Sequence, residues 1–283
     1  MFYRVGLGDV LEICLRARPE YLAAAFGLFI LGQIVSAVRW HALARGVGFT
    51  TSMIECTRIY FVGMFFGLAV PSTLGSDGTR TLYLGRAEPG QARALSSVVF
   101  DRWVGLVTLV GVAVAALLLG PSGDLPESVV IVLIGLGVAL IAGWALAPIL
   151  SGLLPEGNRI RTLVEDDLLP YFRDPGLLAR AVALSVIVHT LQIVTQKLLT
   201  DALGLAVPLS FIAIYHPLVV LATAIPITIG GFGLREAAYA YLLPHAGIAT
   251  DDAVALALLW WAVGALGGLC GGVLYAIAPR TTK

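Results

Sequence analysis

Charged residues are scarce in this sequence, and the chain carries no net charge. Only 13% of the 283 residues are charged, against roughly a quarter in a typical soluble domain. The 18 basic and 18 acidic residues balance, so the charge does not favour binding to nucleic acid. The sequence is instead 58% hydrophobic, with a mean hydropathy of +0.91. These values exclude an ordinary soluble domain.

Several chemical motifs are also missing. The three cysteines are scattered, with no CxxC pair and no nearby histidine pair, which argues against a zinc site or a disulfide framework. The N-terminus lacks a short apolar region followed by a small-residue cleavage site, so no removable signal peptide is expected. There is no GxSxG, HExxH or clustered acidic motif beside a nucleotide-binding loop. We therefore expect no enzymatic activity, no catalytic residues, no metal and no cofactor.

The apolar residues form blocks of the length that a helix needs to cross a bilayer, about 20 residues. The sequence predicts an all-α, polytopic helical membrane bundle of seven spans, or of eight if the segment near residue 230 also crosses. Residues 1–18 are predicted to form an amphipathic surface helix, and residues 151–175 an extramembrane loop with a short surface helix. The predicted spans are residues 21–43, 57–70, 98–119, 129–149, 177–199, 209–225 and 253–277.

The distribution of arginine predicts the orientation, because basic residues in short loops remain cytoplasmic. The turn at 120–127 has no basic residue, whereas 76–102 and 151–180 are rich in arginine. We expect the side that carries these arginines to be cytoplasmic, and the N-terminus to lie on the same side. With seven spans Arg280 and Lys283 would lie outside, against the rule, whereas with eight spans they would be cytoplasmic. All basic residues except Lys197 and Lys283 are arginines, which fits a high-GC prokaryotic genome. A prokaryotic cytoplasmic (inner) membrane is therefore expected.

Two segments broken by proline and glycine match each other. Residues 69–80 (AVPSTLGSDGTR) and 224–235 (AIPITIGGFGLR) share six of twelve residues at an offset of 155. The match predicts an internal repeat within one integral membrane domain of residues 1–283: a first half at 19–120, a linking span and loop at 121–172, and a second half at 173–283. The alternative is that both segments are ordinary turns at helix ends. If the chain crosses the membrane four times between the start of the first half and the start of the second, the two halves run in the same direction. An odd number of crossings would make the two halves inverted.

Paired interruptions at equivalent places in two halves indicate a transporter's binding site. A helix broken inside a bilayer exposes amide groups to a cavity, and the following helix N-terminus favours an anion. Each copy ends in an arginine, Arg80 or Arg235, which either faces the site or lies at the interface and reaches lipid phosphates. A neighbouring carboxylate either neutralises the arginine or contacts a cationic headgroup. The candidate residues of the two segments are Gly75, Ser76, Asp77, Arg80, Gly230, Gly231, Arg235 and Glu236.

Other polar side chains interrupt apolar surroundings. Ser185, His189, Gln192 and Gln196 share one face of the fifth span. This stripe faces a cavity or bonds to neighbouring helices, and titration of His189 is one way to couple protons to transport. Gln33, Ser36 and Arg39 form a similar but weaker stripe at the end of the first span, and an arginine beside Trp40 is also typical of an interfacial anchor. Asp101 and Arg102 open the third span, where we expect an ion pair or contact between Arg102 and lipid phosphate.

The order of these motifs resembles the lysylphosphatidylglycerol synthase transmembrane-region family from about residue 30 to the end. The resemblance implies the flippase-like half alone, and movement of an anionic lipid or lipid-linked group between leaflets, as in the flippase domain of the multiple peptide resistance factor. It leaves the headgroup open. The motifs are Arg39-Trp40-His41, Gly46-Val47-Gly48, Pro71…Gly75-Ser76-Asp77…Arg80…Leu84-Gly85-Arg86, Asp101-Arg102…Gly105 and Pro226…Gly230-Gly231-Phe232-Gly233…Arg235-Glu236.

We therefore predict a lipid translocase that moves an anionic phospholipid or a polyprenyl-phosphate-linked lipid. The predicted binding residues are the eight of the two broken segments together with Arg102, His189 and Gln192. One alternative is a membrane-embedded enzyme acting on a polyprenyl phosphate, with Asp77, Asp101 or Glu236 as general base. Another is a non-transporting partner of a lipid-modifying enzyme or glycosyltransferase.

Overall fold

The computed structural model describes residues 7–69, 74–88, 90–119, 127–224 and 231–277. Within these residues the protein is helical and contains no β-strand. Besides the α-helices given next, shorter helical turns lie at Leu163–Leu168, Leu169–Arg173 and Leu243–Ala246. The α-helices are α1 (Leu7–Leu15), α2 (Pro19–Gly46), α3 (Met53–Gly67), α4 (Leu74–Ala87), α5 (Gln91–Leu119), α6 (Glu127–Gly152), α7 (Arg159–Thr162), α8 (Pro175–Ala202), α9 (Leu209–Ala224), α10 (Leu234–Leu242) and α11 (Thr250–Ile277).

Five of these helices, α2, α5, α6, α8 and α11, are long and apolar enough to cross a membrane. This confirms the predicted helical membrane bundle. The other two predicted spans are shorter helices, because α3 has 15 residues and α9 has 16, and about 20 are needed to cross. The breaks at 70–73 and 225–230, the turn at 120–126 and residues 278–283 lie outside the described residues.

Polar side chains and glycine set the ends of several helices. Ser52 accepts a hydrogen bond from the backbone of Glu55 and caps α3. Asp174 does the same for α8, where Pro175 occupies the first helical position. After α8 the chain turns at Gly204, which has φ +72°, a conformation that glycine adopts without strain. These local signals fix where the long helices start and stop.

The first helices of the two predicted halves, α2 and α8, pack against each other in opposite directions. Gly46 contacts Leu177 and Gly32 lies against Leu191. At the other end, the backbone N–H of Arg18 donates to the carbonyl of Ala202 at 3.0 Å. Residue numbers rise along α2 as they fall along α8, so the two helices are antiparallel.

The short helices form two hairpins. In the first, α4 folds back along α3, and a Cβ atom added at Gly63 would lie 3.0 Å from the carbonyl oxygen of Ser76. In the second, α10 folds back along α9, and the ring centroids of Tyr215 and Tyr239 are 5.5 Å apart. Each hairpin therefore begins and ends at the same end of the bundle.

The two predicted halves have the same helix order. A long helix is followed by a hairpin of short helices and a second long helix, as α2, α3, α4, α5 and as α8, α9, α10, α11. Because α2 and α8 are antiparallel, the two sets run in opposite directions, and their hairpins start from opposite ends of the bundle. Of the two arrangements that the sequence leaves open, this is the inverted one. The proposed domain boundaries stay a prediction.

The first short helix of each hairpin packs on the last long helix of the other set, because α3 packs on α11 and α9 packs on α5, whereas α4 and α10 pack within their own sets. Glycines allow the first of these contacts. A Cβ atom added at Gly271 would lie 1.9 Å from the carbonyl oxygen of Phe61, and one at Gly268 would lie 2.8 Å from Leu68. Only glycine permits the backbones of α3 and α11 to approach this closely.

The surface elements lie at opposite ends of the bundle. The thiol of Cys14 in α1 lies 3.8 Å from the carbonyl of Ala255, near the start of α11. The hydroxyl of Tyr171, in the segment 153–174, donates to the carbonyl of Leu43 near the end of α2. The arginine-rich segment 153–174 and the N-terminal helix therefore do not share a side, which conflicts with the expectation that both are cytoplasmic.

Candidate functional site

A buried carboxylate joins three helices at the centre of the candidate site. One oxygen of Asp101 accepts from Nε of Arg39 at 2.8 Å, and the other accepts from Nη2 of Arg80 at 2.8 Å. Nη1 of Arg39 also donates to the hydroxyl of Ser185 at 2.8 Å. Asp101 and Arg80 are each only 2% exposed. Helices α2, α4, α5 and α8 thus meet through charged and polar groups inside an otherwise apolar bundle.

Arg80 is held by aromatic rings as well as by this carboxylate. Its guanidinium carbon lies 4.4 Å from the ring centroid of Trp40 and 4.8 Å from that of Tyr60, within the range of cation–π attraction. The indole of Trp40 is fixed by a hydrogen bond to Ser97 at 3.1 Å. Arg80 therefore does not reach lipid phosphates at the interface, and that alternative is wrong for this residue.

Asp77 and Arg102 extend the network towards the surface. Nε and Nη2 of Arg102 lie 2.9 and 3.0 Å from the two carboxylate oxygens of Asp77, a two-point contact. Nη1 of Arg80 lies 3.7 Å from Asp77 and links this pair to Asp101. The Arg102 side chain is 41% exposed. The expected pair between Asp101 and Arg102 is wrong, because each binds a different partner.

The polar stripe on α8 contacts neighbouring helices. Nε2 of His189 lies 2.9 Å from the carbonyl oxygen of Gly105 in α5, and Nδ1 lies 3.1 Å from Oε1 of Gln192. The same Oε1 lies 3.4 Å from Nε2 of His216 in α9. Further along, Gln196 bonds to Tyr239 in α10. These contacts are the hydrogen bonding between helices that the sequence analysis gave as one of two alternatives.

Residues 231–235 of the second broken segment lie at the start of α10. Gly231 and Gly233 have φ values of +77° and +85°, which favour glycine. The backbone N–H of Gly233 donates to Glu236, and the guanidinium of the half-buried Arg235 lies against Gly231. The sequence-predicted Gly230 lies outside the described residues. This segment belongs to the α9–α10 hairpin, which packs on α11.

The predicted site residues therefore fall into three neighbouring groups. Asp77, Arg80 and Arg102 share one charged network, and Gly75 and Ser76 lie in the first turn of α4 beside it, where Ser76 packs against Gly63. His189 and Gln192 form the second group, and Gly231, Arg235 and Glu236 the third. The stripe on α8 runs between them, because Ser185 contacts the first group and Gln196 bonds to Tyr239, one helical turn after Arg235.

Sequence reasoning named Asp101 but missed that Arg39 and Ser185 join it in the network. Arg39 was predicted as an interfacial anchor, and Ser185 was recognised only as part of the stripe on α8. The available signal was electrostatic: Arg39, Arg80 and Asp101 each interrupt apolar segments, and buried charges are expected to pair. Within the described residues, no group of three or more His, Cys, Asp or Glu side chains is placed to hold a metal ion.

Comparison with known proteins identifies the family. Residues 1–272 match the family described as Lysylphosphatidylglycerol synthase TM region. A UPF0104 membrane protein of Methanocaldococcus jannaschii is 27% identical over 100 residues, which are 35% of this chain and 30% of that protein. No solved structure matches the chain. Because the family match covers nearly the whole sequence, this multi-pass membrane protein belongs to the Lysylphosphatidylglycerol synthase TM region family.

Proposed function

We propose that this protein moves a lipid with an anionic headgroup between the two leaflets of a prokaryotic cytoplasmic membrane. The supporting observation is the charge of the buried network. Three arginines, Arg39, Arg80 and Arg102, face two aspartates, Asp77 and Asp101, which leaves one positive charge. An arginine inside a bilayer costs about 2.5–3.5 kcal/mol on insertion scales. An anionic headgroup compensates this charge during transport, and the half-exposed Arg102 is the group that meets it first.

The inverted helix order supports a pathway that is open alternately to either side. The five long helices cross the bilayer, and the hairpins α3–α4 and α9–α10 enter from opposite sides without crossing. Between the start of α2 and the start of α8 the chain then crosses three times, through α2, α5 and α6. Inverted halves require such an odd number of crossings. Each hairpin carries one copy of the broken segment with its arginine. Rocking of one half against the other gives alternating access in transporters built from inverted repeats.

This arrangement also changes the proposed orientation. The end of α4, the start of α5 and the segment 153–174 lie on one side and contain Arg86, Arg93, Arg159 and Arg161, so this side is cytoplasmic by the distribution of basic residues. The end of α11 lies on the same side. The N-terminal helix α1 then lies on the outer side. In a variant whose Cys14, Cys56 and Cys270 are replaced by alanine, a cysteine introduced at Glu156 should react with a membrane-impermeant maleimide only after the membrane is opened, and one at Glu12 should react in intact cells. The reverse pattern contradicts this orientation.

Translocation can be measured directly in liposomes. Fluorescent phosphatidylglycerol and phosphatidylcholine are incorporated on both leaflets, and dithionite bleaching reports the fraction that reaches the outer leaflet. We expect the protein to move phosphatidylglycerol faster than phosphatidylcholine. Arg102→Gln should remove this preference, because it removes the exposed guanidinium while leaving Asp101 and its two partners in place. Arg161→Gln, in the segment 153–174 where Arg161 pairs with Glu165, is the matched control and should behave as the wild type.

Two outcomes contradict the proposal. One is wild-type protein that moves neither lipid, and the other is Arg102→Gln protein that retains the full preference for phosphatidylglycerol. Size-exclusion profiles of both variants establish that they are folded. These results concern lipid movement only and do not depend on any covalent chemistry.

The proposed function includes no catalytic step. Both oxygens of Asp101 accept from arginines, and Asp77 binds Arg102 through both oxygens. Glu236 accepts from the Gly233 backbone through Oε2, and its Oε1 has no hydrogen-bond partner among the described residues. A general base must instead be able to accept a proton from its substrate. Mass spectrometry of lipids incubated with the purified protein tests this directly. A new covalent product from a polyprenyl phosphate would favour the enzyme alternative.

A further inference from the structure

Two buried histidines share one glutamine side chain beside the charged network. Gln192 lies between His189 on the same helix and His216 on α9, at 3.1 and 3.4 Å from its Oε1. The other ring nitrogen of His189 faces the carbonyl oxygen of Gly105 at 2.9 Å. His216 is fully buried, and its Nδ1 has no hydrogen-bond partner within the described part of the chain.

The identity of these partners determines where protons reside. A carbonyl oxygen only accepts, so Nε2 of His189 carries a hydrogen. Where Oε1 of Gln192 faces Nδ1, that nitrogen must also carry a hydrogen. His189 is then a doubly protonated, positively charged imidazolium. In the same arrangement, Nε2 of His216 donates to Oε1.

A second arrangement keeps His189 neutral. The Gln192 amide rotates by half a turn, and its two N–H groups donate to Nδ1 of His189 and Nε2 of His216. The hydrogen of His216 must then be on Nδ1, the buried atom without a partner. Gain of one proton by His189 is therefore linked to rotation of Gln192 and to a change of tautomer at His216. The three side chains form a unit with two discrete states.

We propose that His189 is a proton-binding site and that its occupation is coupled to binding of the anionic headgroup, an inference that rests on the proposed function. The proton comes from water on one side of the membrane and binds Nδ1 of His189. The network then changes from one net positive charge to two. By reciprocity, a proton that strengthens headgroup binding is itself held more tightly when the headgroup is present.

The groups around His189 support such coupling. From α2, the Arg39 guanidinium approaches Gly105, since a Cβ atom added there would be 3.4 Å from Nη1. From α5, Asp101 lies one helical turn before Gly105, and α9 contributes His216. Tyr215 and Tyr239 surround Gln196, one turn further along α8, while α11 places the Trp260 ring against His216. An imidazolium therefore adds to the positive charge of Arg39 and draws the headgroup towards the carboxylate-bound arginines.

The first test measures lipid movement as a function of pH. Between pH 8 and 5.5, the range in which histidine changes charge, wild-type protein should move phosphatidylglycerol about fivefold faster at the lower pH, the lower end of typical coupling. His189→Gln should give a rate independent of pH, because glutamine keeps a donor for Gly105 and cannot gain a proton. His245→Gln is the matched control: His245 is exposed and bonds only to the Leu242 carbonyl among the described residues. It should retain the wild-type dependence on pH.

The second test does not require transport. Nitrogen-15 NMR of histidine-labelled protein distinguishes neutral from doubly protonated rings. Addition of short-chain phosphatidylglycerol at pH 6 should convert His189 to the doubly protonated form and shift the tautomer of His216. Short-chain phosphatidylcholine should leave both unchanged.

The two proposals fail in different ways. A protein that moves no lipid at any pH contradicts the proposed function. A protein that moves phosphatidylglycerol at the same rate from pH 5.5 to 8 contradicts the proton site alone, as does a His189→Gln variant that keeps the pH dependence. A His189 that stays neutral with phosphatidylglycerol bound at pH 6 also overturns it.

Discussion

Replacement of Asp101 by asparagine is the most direct test of the buried network. Asparagine has nearly the same shape but no charge, and it presents an NH₂ group to one of the two guanidinium groups that the carboxylate now binds. The network would change from one net positive charge to two, with Arg39 and Arg80 both buried. Loss of one partner of a buried ion pair costs about 3–5 kcal/mol. Asp101 compensates two arginines, so we expect a loss at the upper end of that range.

A double-mutant cycle separates this effect from simple loss of packing. Arg39→Gln combined with Asp101→Asn removes one of the two uncompensated arginines, so the double variant should be more stable than the sum of the single effects by about 2 kcal/mol. Unfolding in mixed micelles, followed by tryptophan fluorescence, gives the free energies. Asp166→Asn, at an exposed position in the segment 153–174, is the control and should change stability by less than about 0.5 kcal/mol. A similarly small effect of Asp101→Asn would refute the reasoning.

Two further predictions concern helix packing and a surface link. Gly271→Ala should destabilise the protein by about 1–3 kcal/mol, because the new methyl group overlaps the Phe61 carbonyl; Gly264→Ala on the same helix meets open space and should be neutral. Glu88 accepts hydrogen bonds from Thr50 and Thr51. Burial raises the pKa of this carboxyl group, but the hydrogen bonds lower it by more. The pKa of Glu88 therefore lies below its usual value of 4.5. Its contribution to stability is complete above that value and is lost as pH falls through the lowered pKa. Thermal unfolding should therefore show Glu88→Gln below the wild type at pH 7 but level with it in strong acid.

The helices were predictable because their apolar blocks have the length of a membrane span and end at proline, glycine and charged residues. The two broken segments were predictable from their matching letters, and Arg80 from its position in them. Arg39 was not, because an arginine beside a tryptophan at the end of an apolar block has the same composition as an interfacial anchor. Only the packing of α2 against α5 and α8 distinguishes a buried arginine from an anchored one.

The number of crossings was not predictable for a related reason. A break at proline and glycine has the same sequence whether the chain continues across the bilayer or folds back. Whether the chain folds back depends on Gly63, which lets α4 lie along α3, and on the contact of Thr223 with Gly231 in the second hairpin. These are contacts between residues whose pairing the linear pattern does not specify. The direction of α8 relative to α2 follows from that decision.

The packing of α3 on α11 and of α9 on α5 means that each half contacts the other through a short helix. Helix α3 is covered by α11, and α9 is covered by α5. One short helix of each half is therefore covered by the last helix of the other half. Helix α11 also packs on α10, and α5 also packs on α4, so each of these long helices contacts both hairpins. In the proposed transport movement, a displacement of either long helix therefore also moves a hairpin of the other half.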